Sequence, residues 1–158
     1  MPFGFSYDKN KVIQALRYHF ISRKEIKILI VLVNVFAVLS AVLFFFRKVS
    51  PLAFLVSSFL WVALMIAFWF ILPHVIYRQT QAFKDSFILS IHEPVLRLEN
   101  ERGYTEWEWK SFESYFETPG FFHLYFNTKT FFLIPKEGMS DEFLQDLRDS
   151  LRTKVGKN

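Results

Sequence analysis

A chain of 158 residues with no cysteine can hold no disulfide framework, thiolate nucleophile or cysteine-based metal site. Its net charge of +4 conceals an asymmetry: residues 1–78 carry nine Lys/Arg against two Asp/Glu, a net +7, whereas residues 79–158 carry ten against thirteen, a net −3. The basic excess therefore flanks the apolar part of the chain, and the acidic remainder argues against nucleic acid as a partner, which needs a basic face on the folded module.

Residues 1–27 read as a short strand followed by a basic amphipathic helix. Phe3-Gly4-Phe5-Ser6-Tyr7 alternates. Asp8 suits an N-cap, and Val12, Ile13, Leu16 and Phe20 then recur at helical spacing among Lys9, Lys11, Arg17, Arg23 and Lys24. Such a helix can lie on an anionic leaflet, or pack its apolar stripe on the folded domain with its charges solvated. The strand can add to that domain's sheet and tie the two ends of the chain together.

Two charge-free runs follow, 28–46 and 52–72, with only Arg47-Lys48-Val49-Ser50-Pro51 between them. At about 1.5 Å per helical residue each reaches roughly the 30 Å of a bilayer's hydrocarbon core. A signal peptide has a shorter apolar stretch that begins nearer the N-terminus. A core helix of a soluble protein accounts for one such run more readily than for two in tandem. The pair reads as a membrane hairpin with an external turn at 47–51. Ser50 caps the second helix and Pro51 takes its first position, while Leu72-Pro73-His74 marks the exit. Lysines and arginines near the spans number eight on the side of the termini, among them Arg17, Arg23, Lys24, Lys27 and Arg78, and two at the turn. This distribution puts both termini of a multi-pass chain in the cytoplasm and the turn outside.

Few residues within the spans are small or polar. Ala37 and Ala41, and Ala63 and Ala67, are four apart and let helix backbones approach closely. Depth matching in an antiparallel hairpin sets Ser40 near Ser57 and Ser58. It sets Asn34 level with Ile66–Ala67, where it meets no side-chain partner. The amide is then expected to bond to backbone or to water from the interface, or else to Asn34 of a second copy, a homodimer contact. Neither span carries an ionisable residue, so nothing marks an ion path.

Residues 79–158 change to period two. Strands are expected over Phe87–His92, Leu96–Glu99, Tyr104–Trp109, Phe112–Glu117, Phe121–Phe126 and Thr130–Ile134, an antiparallel meander of five or six strands. Ser140 then caps a closing helix with Phe143, Leu144, Leu147 and Leu151 on one stripe. The order of elements, the run Tyr104–Phe112 with Trp109-Lys110 turning into the next strand, the Leu133-Ile134-Pro135-Lys136 stretch and the closing helix resemble the YcxB-like family of small bacterial membrane proteins. The resemblance implies a membrane α-hairpin plus an α+β domain: an antiparallel pleckstrin-homology-like sheet closed by a C-terminal helix, on the cytoplasmic side. The family has no established activity, so the resemblance carries over no catalytic, cofactor-binding or metal residue.

The residues themselves offer no catalytic set. The four histidines, His19, His74, His92 and His123, form no metal-like spacing, with His92 and His123 expected to face solvent from strands. Glu106 and Glu108 alternate with Trp107 and Trp109 and so read as a solvated face or an acidic patch for a basic partner. Phe121 and Tyr125 point outward from their strand on this alternation and mark a partner surface, unless the N-terminal helix covers them or the facing of the strand is the reverse. The leading expectation is a membrane-anchored, non-enzymatic module that binds a protein partner. The alternatives are a sensor of anionic lipid headgroups and a component of a membrane oligomer or transporter complex.

Overall fold

The protein is described by a computed structural model over residues 2–155. Its alternating segments form seven strands in two antiparallel sheets. β1 (Phe3–Ser6), β2 (Ser86–His92), β3 (Val95–Asn100) and β4 (Gly103–Glu108) make one sheet in that order. β5 (Ser114–Glu117), β6 (Phe121–Tyr125) and β7 (Phe131–Pro135) make the other. Helices α1 (Lys9–Ser22), α2 (Lys24–Phe45), α3 (Pro51–Ile66), α4 (Leu72–Gln79) and α5 (Asp141–Lys154) complete the chain. Two compact units result: residues up to Ala15 with those from Thr80 onward, and Leu16–Gln79.

In the first unit the N-terminal strand does join the sheet, with Phe3 opposite Leu89 and Phe5 opposite Phe87. The expected single meander is instead divided. A 3-10 turn at Trp109–Ser111 interrupts pairing after β4, so β5 begins at Ser114 in a new sheet, and the two sheets do not close on each other. Local chemistry sets the other turns. Asn100 Oδ1 accepts from the Arg102 amide at 2.9 Å, and Gly103 follows at φ 144°, a backbone conformation that a side chain disfavours. Asn127 Oδ1 accepts from the amides of Lys129 and Thr130, both at 2.8 Å, to turn β6 into β7.

The core of this unit gathers one face of each sheet and one stripe of α5. Phe87, Leu89, Leu96, Phe122, Leu124 and Ile134 are buried together with Phe143, Leu147 and Leu151. Ser140 Oγ accepts from the Phe143 amide at 3.2 Å and starts α5 where its stripe meets the sheets. The helix is pinned from the side by Glu117, whose carboxylate accepts from Lys136 Nζ and Arg148 Nη2, each at 2.7 Å. These donors hold its pKa below the ordinary carboxylate value, with the Arg148 hydrogen bond the larger cause.

β6 corrects two expectations. All five of its residues are buried, so Phe121 and Tyr125 offer no exposed partner surface, and His123 is fully buried rather than facing solvent. The reason is positional: β6 is the central strand of its sheet, and both faces are covered. Phe122 and Leu124 enter the main core, while Phe121, His123 and Tyr125 take the opposite face. Val12, Ile13 and Ala15 of α1 are buried as well. Tyr7 Oη donates to the Leu133 carbonyl at 2.6 Å and Lys11 pairs with Glu137, which sets the start of α1 beside β7. The apolar stripe of α1 is thus used inside the fold, at least over its first half.

The second unit has the opposite character. No side chain of α2 or α3 is buried, and Leu52 and Phe59 are 72% and 71% exposed. The turn after α2 places Arg47 at φ 55°. The amides of Arg47 and Lys48 donate to the carbonyls of Phe44 and Leu43, both at 2.9 Å, a helix end in which glycine is the usual residue. Ser50 Oγ then accepts from the Ala53 amide at 3.3 Å, and Pro51 opens α3. The second helix does not end at Leu72-Pro73. Five residues of π-helix, Ala67–Ile71, lead into α4, and the helical path runs 29 residues from Pro51 to Gln79.

Candidate functional site

The hairpin is held by few but specific contacts. Ser40 Oγ and Ser57 Oγ lie 2.7 Å apart, whereas Ser58 donates back to the Phe54 carbonyl at 2.9 Å. Asn34 corrects the depth argument. Its Nδ2 donates to the Ile30 carbonyl at 2.7 Å, and its Oδ1 accepts from Trp61 Nε1 at 3.3 Å. An indole reaches about a turn along its helix, so the partner sits below the level that backbone counting selects. The amide thus bonds to backbone, one of the expectations for it, and also finds a side-chain partner within its own hairpin. The small residues divide: Ala37 and Ala67 are half-buried, while Ala41 and Ala63 are exposed. Phe44 and Phe54 stack near the tip at 4.5 Å, beside a cleft of about 810 Å³ that Arg47 and Lys48 also line.

The helical unit's most developed polar site lies at the far end of the second helix. Pro73 has no amide hydrogen, so the Trp69 carbonyl four residues earlier lacks its helical donor. The π-helical segment absorbs the disruption, with the Leu72 amide reaching back to the Ala67 carbonyl. Arg17 supplies the missing donor: its Nε donates to the Trp69 carbonyl at 2.9 Å. The guanidinium also lies 5.1 Å from the Trp69 ring centroid and 5.5 Å from that of Phe70. His74 Nδ1 is 2.7 Å from the Phe70 carbonyl and must donate to it, since a carbonyl only accepts. Sequence reading placed Arg17 in the juxtamembrane basic set but missed this seat. The signal available was Pro73 inside a helical pattern, which demands a foreign donor wherever the helix continues.

The other basic residues are less engaged. Arg23 lies 3.8 Å from Glu25, while Lys24, Lys27 and Arg78 form no ion pair among the described residues. His19 on α1 is buried, and burial, helped by the charge of Arg23, lowers its pKa to about 4. It stays neutral at physiological pH.

On the sheet domain, Glu106 and Glu108 are exposed on β4. Arg97 is the hub of their face. It approaches Glu99 at 2.6 Å and Glu106 at 3.5 Å, and its guanidinium stacks 4.1 Å from the ring centroid of Tyr104. Its Nε lies close to Glu99 but off the hydrogen-bonding direction, so the contact is an ion pair. Glu108 pairs with Lys110 at 2.5 Å. Ile88 and Tyr104 stay exposed beside these charges. No group of three or more His, Asp or Glu able to hold a metal ion occurs among the described residues.

The two units define a class: an antiparallel sheet domain with a closing helix, accompanied by two helices long and apolar enough to cross a membrane. Residues 94–150, from the β2–β3 turn to within α5, match the family described as YcxB-like protein. Both apolar helices precede the matched segment, which makes up about a third of the chain. No curated protein and no solved structure matches the chain.

Proposed function

We propose that this chain is a bacterial inner-membrane protein whose hairpin anchors a small cytoplasmic domain of pleckstrin-homology-like type, and that the domain works by binding a protein partner. The observation that carries the anchoring is the helical unit itself. Two helices of 22 and 29 residues expose their apolar side chains outward and bury none in their first 22 and 16 residues, which is stable in lipid and not in water. The eight-to-two distribution of Lys/Arg supports a cytoplasmic position for both termini.

The partner reading rests on the face around Arg97. Aromatic and aliphatic groups, Tyr104 and Ile88, are exposed there within a mixed charged surface. Arginine and tyrosine are enriched where interfaces carry their binding energy. A photo-crosslinking residue at Tyr104 in the full chain, expressed in its membrane, tests this. The reading expects a discrete adduct that the same residue at Gln145 on α5 does not give. Equal, diffuse labelling from both positions counts against it.

A further inference from the structure

We propose that the Arg17 guanidinium, fixed on the π-helical segment of the second apolar helix, is a binding seat for a phospholipid phosphate. The inference rests on the membrane reading of the hairpin and adds to it a defined lipid site, distinct from the sheet domain.

Three observations converge. First, Arg17 is held in place but only partly used. Nε is committed to the Trp69 carbonyl, and the guanidinium carbon lies over the rings of Trp69 and Phe70. No carboxylate pairs with it, and neither terminal nitrogen has a protein acceptor among the described residues. The two outer nitrogens of such a fork match two oxygens of one phosphate. Second, the depth is right. Trp69 lies 18 residues beyond Pro51, roughly 27 Å along the helix, at the edge of a hydrocarbon core of about 30 Å. Phosphates begin at that level, and tryptophan is enriched there. Third, the site is built by the fold rather than by a flexible chain. Pro73 leaves the carbonyl open, the π-helical segment presents it, and α1 delivers the arginine. A lysine at position 17 would keep the charge but lose the fork and the stacking.

Native mass spectrometry of the full chain tests the seat, with the protein released from detergent after equilibration with phosphatidylglycerol, phosphatidylcholine or diacylglycerol. The wild type is expected to retain one phospholipid of either kind and no diacylglycerol. Arg17→Gln is expected to lower the retained fraction about tenfold, and Arg17→Lys to lower it despite the kept charge. Lys24→Gln, which removes one exposed charge nearby, is expected to leave it unchanged. Pro73→Ala guards against misfolding as the cause, because it restores a helical donor to Trp69 and strengthens the helix while displacing Arg17. Retention is expected to fall there too. Equal retention in wild type and Arg17→Gln, equal losses in Arg17→Gln and Lys24→Gln, or undiminished retention in Pro73→Ala each overturns the seat. A chain that alkaline carbonate releases from membranes fails the anchoring reading instead, whereas an embedded chain that keeps no phospholipid fails only this inference.

Discussion

The helical unit and the sheet domain are both rich in phenylalanine and leucine, yet they use them in opposite directions. The domain turns Phe122, Leu124, Leu147 and Leu151 inward until none is accessible. The hairpin turns Phe36, Leu52 and Phe59 outward and keeps its few polar groups, Ser40, Ser57 and Asn34, between its helices. Apolar content alone therefore does not say where a core lies. The period of the pattern adds which residues share a face. Alternation leaves one face for a core, while an uninterrupted run leaves no polar face for water.

The sharpest way to break the contrast is to remove one buried group from the domain. Leu147→Ala is expected to cost about 2–5 kcal/mol, measured as a lowered midpoint of domain unfolding followed by near-ultraviolet circular dichroism in detergent. Leu52→Ala on the hairpin, an equal change in chemistry, is expected to leave that midpoint unmoved. A smaller effect is expected from Glu117→Gln, about 1–2 kcal/mol, since it weakens the carboxylate's bonds to Arg148 of α5 and to Lys136 before it. The pH dependence follows from the lowered pKa. The pin's contribution is complete above the unfolded carboxylate value near 4.5 and is lost as pH falls through the lower folded value. The wild type should thus lose stability relative to Glu117→Gln on acidification, and parallel pH curves for the two would contradict the assignment.

Within the hairpin the expected effects are smaller still. Arg47→Gly removes a side chain from a left-handed backbone position and is expected to stabilise the helical unit by about 1 kcal/mol, read as a raised thermal midpoint in detergent. A double-mutant cycle on Ser40→Ala and Ser57→Ala is expected to give a coupling of roughly 0.6 kcal/mol, the usual size for such contacts between apolar helices.

What the sequence made legible was local. Ser50-Pro51 and Ser140 announce helix starts, Asn100 to Gly103 and Asn127 to Lys129 announce turns, and the long apolar runs announce helices. What it hid depends on groups distant along the chain. Pro73 reads as a helix end, but Arg17, 56 positions earlier, supplies the donor that lets the helix continue. Asn34 reads as unpartnered because counting backbone rise ignores the length of the Trp61 indole. Phe121, His123 and Tyr125 read as outward because alternation says which residues share a face, not whether something covers it. The candidate lipid seat was legible only as a basic residue near a span.

A hairpin that crosses a membrane and returns puts its turn and the β6–β7 loop on opposite sides of that membrane. The chain has no cysteine, so single cysteines placed at Val49 in the turn and at Thr128 in the β6–β7 loop report without background. A membrane-impermeant maleimide added to intact cells stripped of their outer barrier is predicted to label position 49 at once, and position 128 only after the membrane is opened. Labelling of both positions from the same side would contradict the account.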